Sequence, residues 1–158
     1  MARTTYLKKQ LLDAIAGVNK NSGSSSIPNG QYMGLSTTTP TVGTYNGGTA
    51  SDCNFTEPSD SAYSRVYIGG SSSILLRYPF VYPTGTTTYD SVSNQLEVHF
   101  DASTQSWGTI TYVGIFDGNS ASSHLIAYAQ LNTPVSIPAD SIATILEGNA
   151  TISIEVQE

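Results

Sequence analysis

Trp107-Gly-Thr-Ile-Thr-Tyr-Val-Gly-Ile-Phe-Asp117, with Gly118-Asn119 directly behind it, is the stretch whose reading decides the fold. It is rich in β-branched and aromatic residues, has no charge before Asp117 and runs into a turn sequence, which together predict a strand. At period two, Trp107, Thr109, Thr111, Val113 and Ile115 share one face, and Ile110, Tyr112 and Phe116 the other. Apolar side chains on both faces mark an interior strand, covered on two sides. Gly108 and Gly114 carry no side chain, so a neighbouring backbone or a large ring can come close there.

Downstream, Asp117-Gly-Asn-Ser-Ala-Ser122 reads as a tight connection and His124 to Leu131 as the hairpin partner. Pro134 and Pro138 bracket a short extended piece, Val135 to Ile137, and Ile142 to Leu146 is a further candidate strand. Ala150, Ile152, Ile154 and Val156 alternate with Thr151, Ser153, Glu155 and Gln157, the pattern of a half-buried final strand.

Upstream, Leu96, Val98 and Phe100 face one way, with Glu97 and His99 facing the other. Ile74 to Tyr82 contains Pro79, which cannot donate to a ladder, so it reads as an edge strand or one broken near Arg77. Tyr63 to Ile68 alternates, placing Val66 and Ile68 opposite Tyr63, Arg65 and Tyr67. Asn29-Gly30 opens a strand at Gln31 to Thr37, and a polar loop from Thr38 to Glu57 follows. A loop of that length is expected to be exposed and to meet a partner.

Residues 3–19 are the one helical pattern. Leu7, Leu11, Ile15 and Val18 form a stripe widened by Tyr6, Leu12 and Ala14, with Lys8, Lys9 and Asp13 on the other side. The expected fold is therefore mainly β: a single β-sandwich of eight or nine short strands, jelly-roll or Greek-key-like, with one N-terminal amphipathic α-helix. The domain layout is a helix over 1–20, serving as anchor or packing arm, a flexible connection over 21–30 and the sandwich over 31–158.

Charged residues make up 11% of the 158, against about 25% in typical soluble domains. The net charge is −6, and only Arg65 and Arg77 are basic after Lys20. Such a body offers no footprint for a phosphate backbone, so no nucleic-acid partner is expected. No apolar stretch is long enough to span a bilayer and none has signal-peptide form, so no membrane partner is expected either. Cys53 is the single cysteine, excludes an intrachain disulfide and reads as a spectator thiol.

Enzymatic chemistry finds little support. His99 and His124 stand in no metal-binding or triad spacing, and there is no nucleophile elbow, Walker loop or dinucleotide fingerprint. Asp117-Gly-Asn119 resembles part of a calcium loop but lacks the later ligands, so a plain turn is the better reading. Glu57 and Asp60 would suit a pair around a substrate, yet Glu57-Pro58-Ser-Asp60 reads first as a turn. No catalytic, cofactor-binding or metal residue is assigned, and no cofactor is expected. Ten tyrosines leave a carbohydrate-binding module as the alternative ligand-binding reading, with Trp107 committed to the core strand.

Tyr32-Met-Gly-Leu-Ser-Thr-Thr-Thr-Pro-Thr41, Glu57-Pro-Ser59 with Tyr63-Ser-Arg-Val66, and Trp107 to Asp117 occur in an order that resembles the small structural proteins of tailed bacteriophages, described as head-decoration or tail-fibre-like. The likeness covers roughly residues 5–156, with Ile74 to Tyr89 as an apparent insertion. It implies a non-enzymatic virion component, made in the host cytoplasm, that decorates or cements the head or belongs to the neck or tail. It further implies major capsid, neck or tail proteins as partners, and a homo-oligomer. A receptor- or glycan-binding sandwich module is the alternative.

Overall fold

A computed structural model describes residues 31–41, 49–69, 80–81, 91–94 and 97–153. Among these residues nine strands appear in chain order: β1 Gln31–Ser36, β2 Val66–Gly69, β3 Phe80–Val81, β4 Ser91–Asn94, β5 Val98–His99, β6 Gly108–Phe116, β7 Leu125–Ile137, β8 Thr144–Ile145 and β9 Thr151–Ser153. All pairings are antiparallel, in a four-stranded sheet β2-β1-β6-β7, a three-stranded sheet β3-β4-β9 and the pair β5-β8. The fold is mainly β, with no helix among the described residues. The expected helix over 1–20 and the connection over 21–30 lie outside them.

β6 is the interior strand that its two-faced apolar pattern predicts. It pairs with β1 from Tyr32↔Phe116 to Ser36↔Tyr112 without interruption. On its other side β7 is the hairpin partner, and it continues past Leu131 through the Val135–Ile137 piece as one strand. The reading from His124 to Leu131 therefore stops short. Pro134 interrupts the run only locally, because the chain bulges there instead of ending.

That bulge corrects the face assignment of β6. Ile110 pairs with Val135 and Tyr112 with Gln130, so Thr111 is set against Leu131–Pro134 in an irregularity of the ladder. A break in pairing shifts the alternation. Ile110, expected beside Tyr112 and Phe116, instead joins Val113 and Ile115 in the main core, while Thr109 is exposed.

The sheet carries apolar clusters on both faces. The main one joins Met33 and Leu35 of β1 and Ile110, Val113 and Ile115 of β6 to Val98, Phe100, Trp107, Ile137, Ala143 and Ala150. The second joins Phe116 to Phe55 and Ala50, with Tyr32, Tyr112 and Leu125 beside them. Phe55 and Ala50 belong to the loop expected to be exposed. Its described second half is instead tied down, with Phe55 donating to Ala50 at 2.8 Å and Thr41 to Cys53 at 2.8 Å. Residues 42–48 of that loop lie outside the description.

Gly114 behaves as its sequence position predicts. A Cβ built there would lie 2.7 Å from the Phe55 ring and 2.7 Å from Leu125 Cδ1, so the missing side chain is what seats that ring. Gly34, its register partner on β1, is crowded in the same way by Glu57, Phe116 and the Tyr63 hydroxyl. Gly108 differs. Nothing crowds it closely, but its φ of 74° is one that other residues rarely adopt.

The remaining strands are shorter than their sequence patterns. β2 begins only at Val66, β8 covers two residues of the Ile142–Leu146 candidate, and β9 ends at Ser153 with residues 154–158 outside the description. Of the Ile74–Tyr82 candidate, Phe80–Val81 is described and forms the edge strand β3. Asn94 fastens β4 to the turn after β8: its Nδ2 donates to the Leu146 carbonyl and its Oδ1 accepts from Ala150 N.

Candidate functional site

Two buried polar junctions hold the loops against the sheet, and both are built from residues that the sequence offers as a carboxylate pair. The first centres on Asp60, 5% exposed, in the turn before β2. Its carboxylate accepts from Trp107 Nε1 at 2.8 Å, Thr104 N at 2.7 Å, the Thr104 hydroxyl, Gln105 N at 3.1 Å and Ala62 N at 3.0 Å. The Thr104 hydroxyl above all, then the Ala62, Trp107 and Gln105 donors, hold its carboxyl well below the usual carboxylate range. Its lone pairs are spent inside the protein.

The second junction pairs Glu57 with Arg65. The guanidinium fork donates from Nε to Glu57 Oε1 at 2.9 Å and from Nη2 to Oε2 at 2.7 Å. Its Nη1 reaches the carbonyls of Gly118 and Ser120 in the β6–β7 turn at 3.1 and 3.0 Å, and its plane lies 3.6 Å from the Phe116 ring centroid. The Arg65 side chain is 4% exposed. Such a bidentate, stacked site needs arginine, since a lysine presents a single point charge.

Tyr63 links this junction to the sheet edge. Its hydroxyl donates to Glu57 Oε1 at 2.9 Å and accepts from Leu35 N at 2.8 Å, standing in for a strand carbonyl beyond the end of β2. Burial, reinforced by the Glu57 charge, pushes its phenol pKa upward, which keeps it a donor. Glu57 and Asp60 thus serve separate donor sets. Their roles as buried acceptors escape the sequence, although a lone Arg65 eight residues after Glu57 in an acidic body is a signal for the ion pair.

The other residues singled out from sequence also fall into place. Trp107 is 3% exposed and packs edge-on to Tyr63 and Phe100, as a core residue. Asp117 closes the hairpin turn, with its oxygens on His124 N at 2.7 Å and His124 Nδ1 at 2.8 Å. His99 is exposed, beside Thr144 and Glu97. Cys53 is a free, buried thiol. Among the described residues no group of three or more His, Cys, Asp or Glu is placed to hold a metal ion, and no helix is long and apolar enough to cross a membrane.

What remains available for contact is surface. Tyr67 and Tyr128 are 47% and 42% exposed, each edge-on to a more buried tyrosine across a strand pair, Tyr32 and Tyr112. On the side of the main core, Val135, Ile142 and Leu146 are exposed around an apolar cleft.

Compared with known families, residues 2–153 match the model of the podophage GP4 fiber I protein gp80. No curated protein matches the chain.

Proposed function

The chain belongs to the podophage GP4 fiber I protein gp80 family, a family of phage virion proteins, and from that membership we propose that it is a non-enzymatic structural component of a phage fibre, assembled into the particle as a homo-oligomer. The observation that carries this reading is the reach of the match, which takes in nearly the whole chain. A fibre role is favoured over head decoration because the matching family is named for a fibre. Polar groups spent on internal locks, as at Asp60 and Arg65, support a scaffold over a catalyst. The sandwich architecture is part of the proposal, supported by a main core that joins the four-stranded sheet to residues of β5 and those flanking β8 and β9.

Mass spectrometry of purified particles tests the reading: the protein is expected in intact virions, and its absence from them would end it. Gold-labelled antibody on those particles should mark fibres; label spread evenly over the head would replace the fibre role by decoration. Removing residues 1–20 should release the protein from particles, and retained attachment would refute an anchoring role for that segment.

A glycan- or receptor-binding role is the second reading, favoured by the exposed rings of Tyr67 and Tyr128, since aromatic faces stack on sugars. A glycan array with the purified protein should show saturable binding abolished by Tyr128→Ala or Tyr67→Ala. No binding to any sugar would remove this reading and leave the structural one standing.

A further inference from the structure

A cleft of about 540 Å³ opens beside β8. Leu35, Ile110 and Val113 of the main core line it, and Val135, Ile142 and Leu146 form its rim at 47%, 63% and 52% exposure. Among the described residues no charged side chain lines it. A concentration of water-exposed aliphatic groups over a formed core marks an interaction site. Just outside the lining, Asp140 and Glu147 are exposed.

The chain itself contains a segment of matching chemistry. The stripe of Tyr6, Leu7, Leu11, Ile15 and Val18 recurs at helical spacing. Residues 1–20 hold Arg3, Lys8, Lys9 and Lys20 against Asp13 alone, whereas the rest of the chain has two cations and all the other acids. An apolar stripe flanked by positive charge suits an apolar cleft flanked by negative charge, in the manner of a helix laid in a groove.

The point where the chain enters the sheet bears on whose cleft is filled. β1 runs from Gln31, beside Gly69 and next to the Tyr32↔Phe116 pair, toward Leu35 in the cleft lining. The preceding chain therefore joins the sheet at the end away from the cleft. Residues 19–30 extend to about 40 Å at most, enough to carry the stripe to a neighbouring copy.

We propose that the cleft receives the N-terminal apolar stripe, residues 6–18, of a second copy of this chain. Each copy then gives one arm and accepts one. The contact is heterologous, and it closes into a ring or continues as a filament according to the rotation between copies. The inference concerns self-association of the purified chain and stands apart from where the protein sits in a particle.

Light scattering on the purified full chain and two variants tests this. Leu11→Asp with Ile15→Asp spoils the arm and leaves the cleft intact; Leu146→Asp spoils the cleft and leaves the arm intact. Wild-type chain should self-associate, and each variant should associate at least about a hundredfold more weakly, because a carboxylate would be desolvated in an apolar site. An equimolar mixture of the two variants should form a one-to-one complex that grows no further, since one working arm meets one working cleft. Leu146 is exposed, so its substitution is expected to leave the thermal transition unchanged; if it does not, Leu146→Gln takes its place. A monomeric wild type, unchanged association of either variant, or a mixture that stays monomeric would each overturn the proposal.

Discussion

The indole Nε1 of Trp107 donates to Oδ2 of Asp60 at 2.8 Å, joining the residue just before the central strand to a turn 47 positions earlier. The carboxylate is held ionised by five donors from two stretches of chain, Ala62 and Thr104–Trp107. One group thereby couples the β1–β2 connection to the loop leading into β6.

Stability should fall in acid through Asp60. Its pKa is depressed in the folded protein, chiefly by the Thr104 hydroxyl, so its contribution is fully present above the unfolded carboxyl value near 3.8. That contribution is lost as pH drops below 3.8 toward the folded value. Asp60→Asn should therefore lower the thermal midpoint at pH 7 and flatten its decline below pH 4, measured by circular dichroism melts over a pH series. An unchanged acid limb in the variant would assign acid sensitivity elsewhere.

Trp107→Ala should destabilise the fold by about 3–5 kcal/mol, because it empties a buried site between Tyr63 and Phe100 and removes a donor to Asp60. Trp107→Phe, which keeps a ring there, should cost less. Urea denaturation of the three proteins gives the order. A Trp107→Ala chain that melted like wild type but no longer attached to particles would make this residue a contact instead of scaffold.

The sequence reveals the β6–β7 hairpin and the role of Gly114 because both depend on local information: strand pattern, turn residues and an absent side chain between two apolar neighbours. The face of Ile110 is hidden because it depends on Leu131–Pro134, residues of another strand that push the pairing out of step. The donors of Asp60 at Thr104, Gln105 and Trp107 lie 44 or more positions away, and the cleft draws on β1, β6, β7 and the β8 region together. Such features come from topology, and no spacing in a single chain announces them.

Breaking the Glu57–Arg65 pair from one side should be costly. Glu57→Ala leaves a guanidinium with a 4% exposed side chain lacking its carboxylate, which costs about 3 kcal/mol by analogy with other one-sided removals of buried partners. Arg65→Lys should recover little, since an ammonium cannot serve the Glu57 oxygens and the Gly118 and Ser120 carbonyls in the same geometry. Hydrogen exchange should then quicken in the turn from Gly118 to Ser123 before it does in β1. Equal protection of that turn in wild type and both variants would show that the pair does not hold it.

Gly114→Ala tests a close approach from the opposite direction, by adding one carbon. The new Cβ would sit 2.7 Å from Phe55 Cε2 and 2.7 Å from Leu125 Cδ1, so the ring, the leucine or the strand has to move. Overpacking of this kind costs about 1–3 kcal/mol. Phe55→Leu in the same chain opens space above Gly114, so the double variant should lose less stability than the sum of the two single changes. Additivity in the urea-derived free energies would mean that Phe55 is not what glycine accommodates there, and the ring over β6 would need another reason for its place.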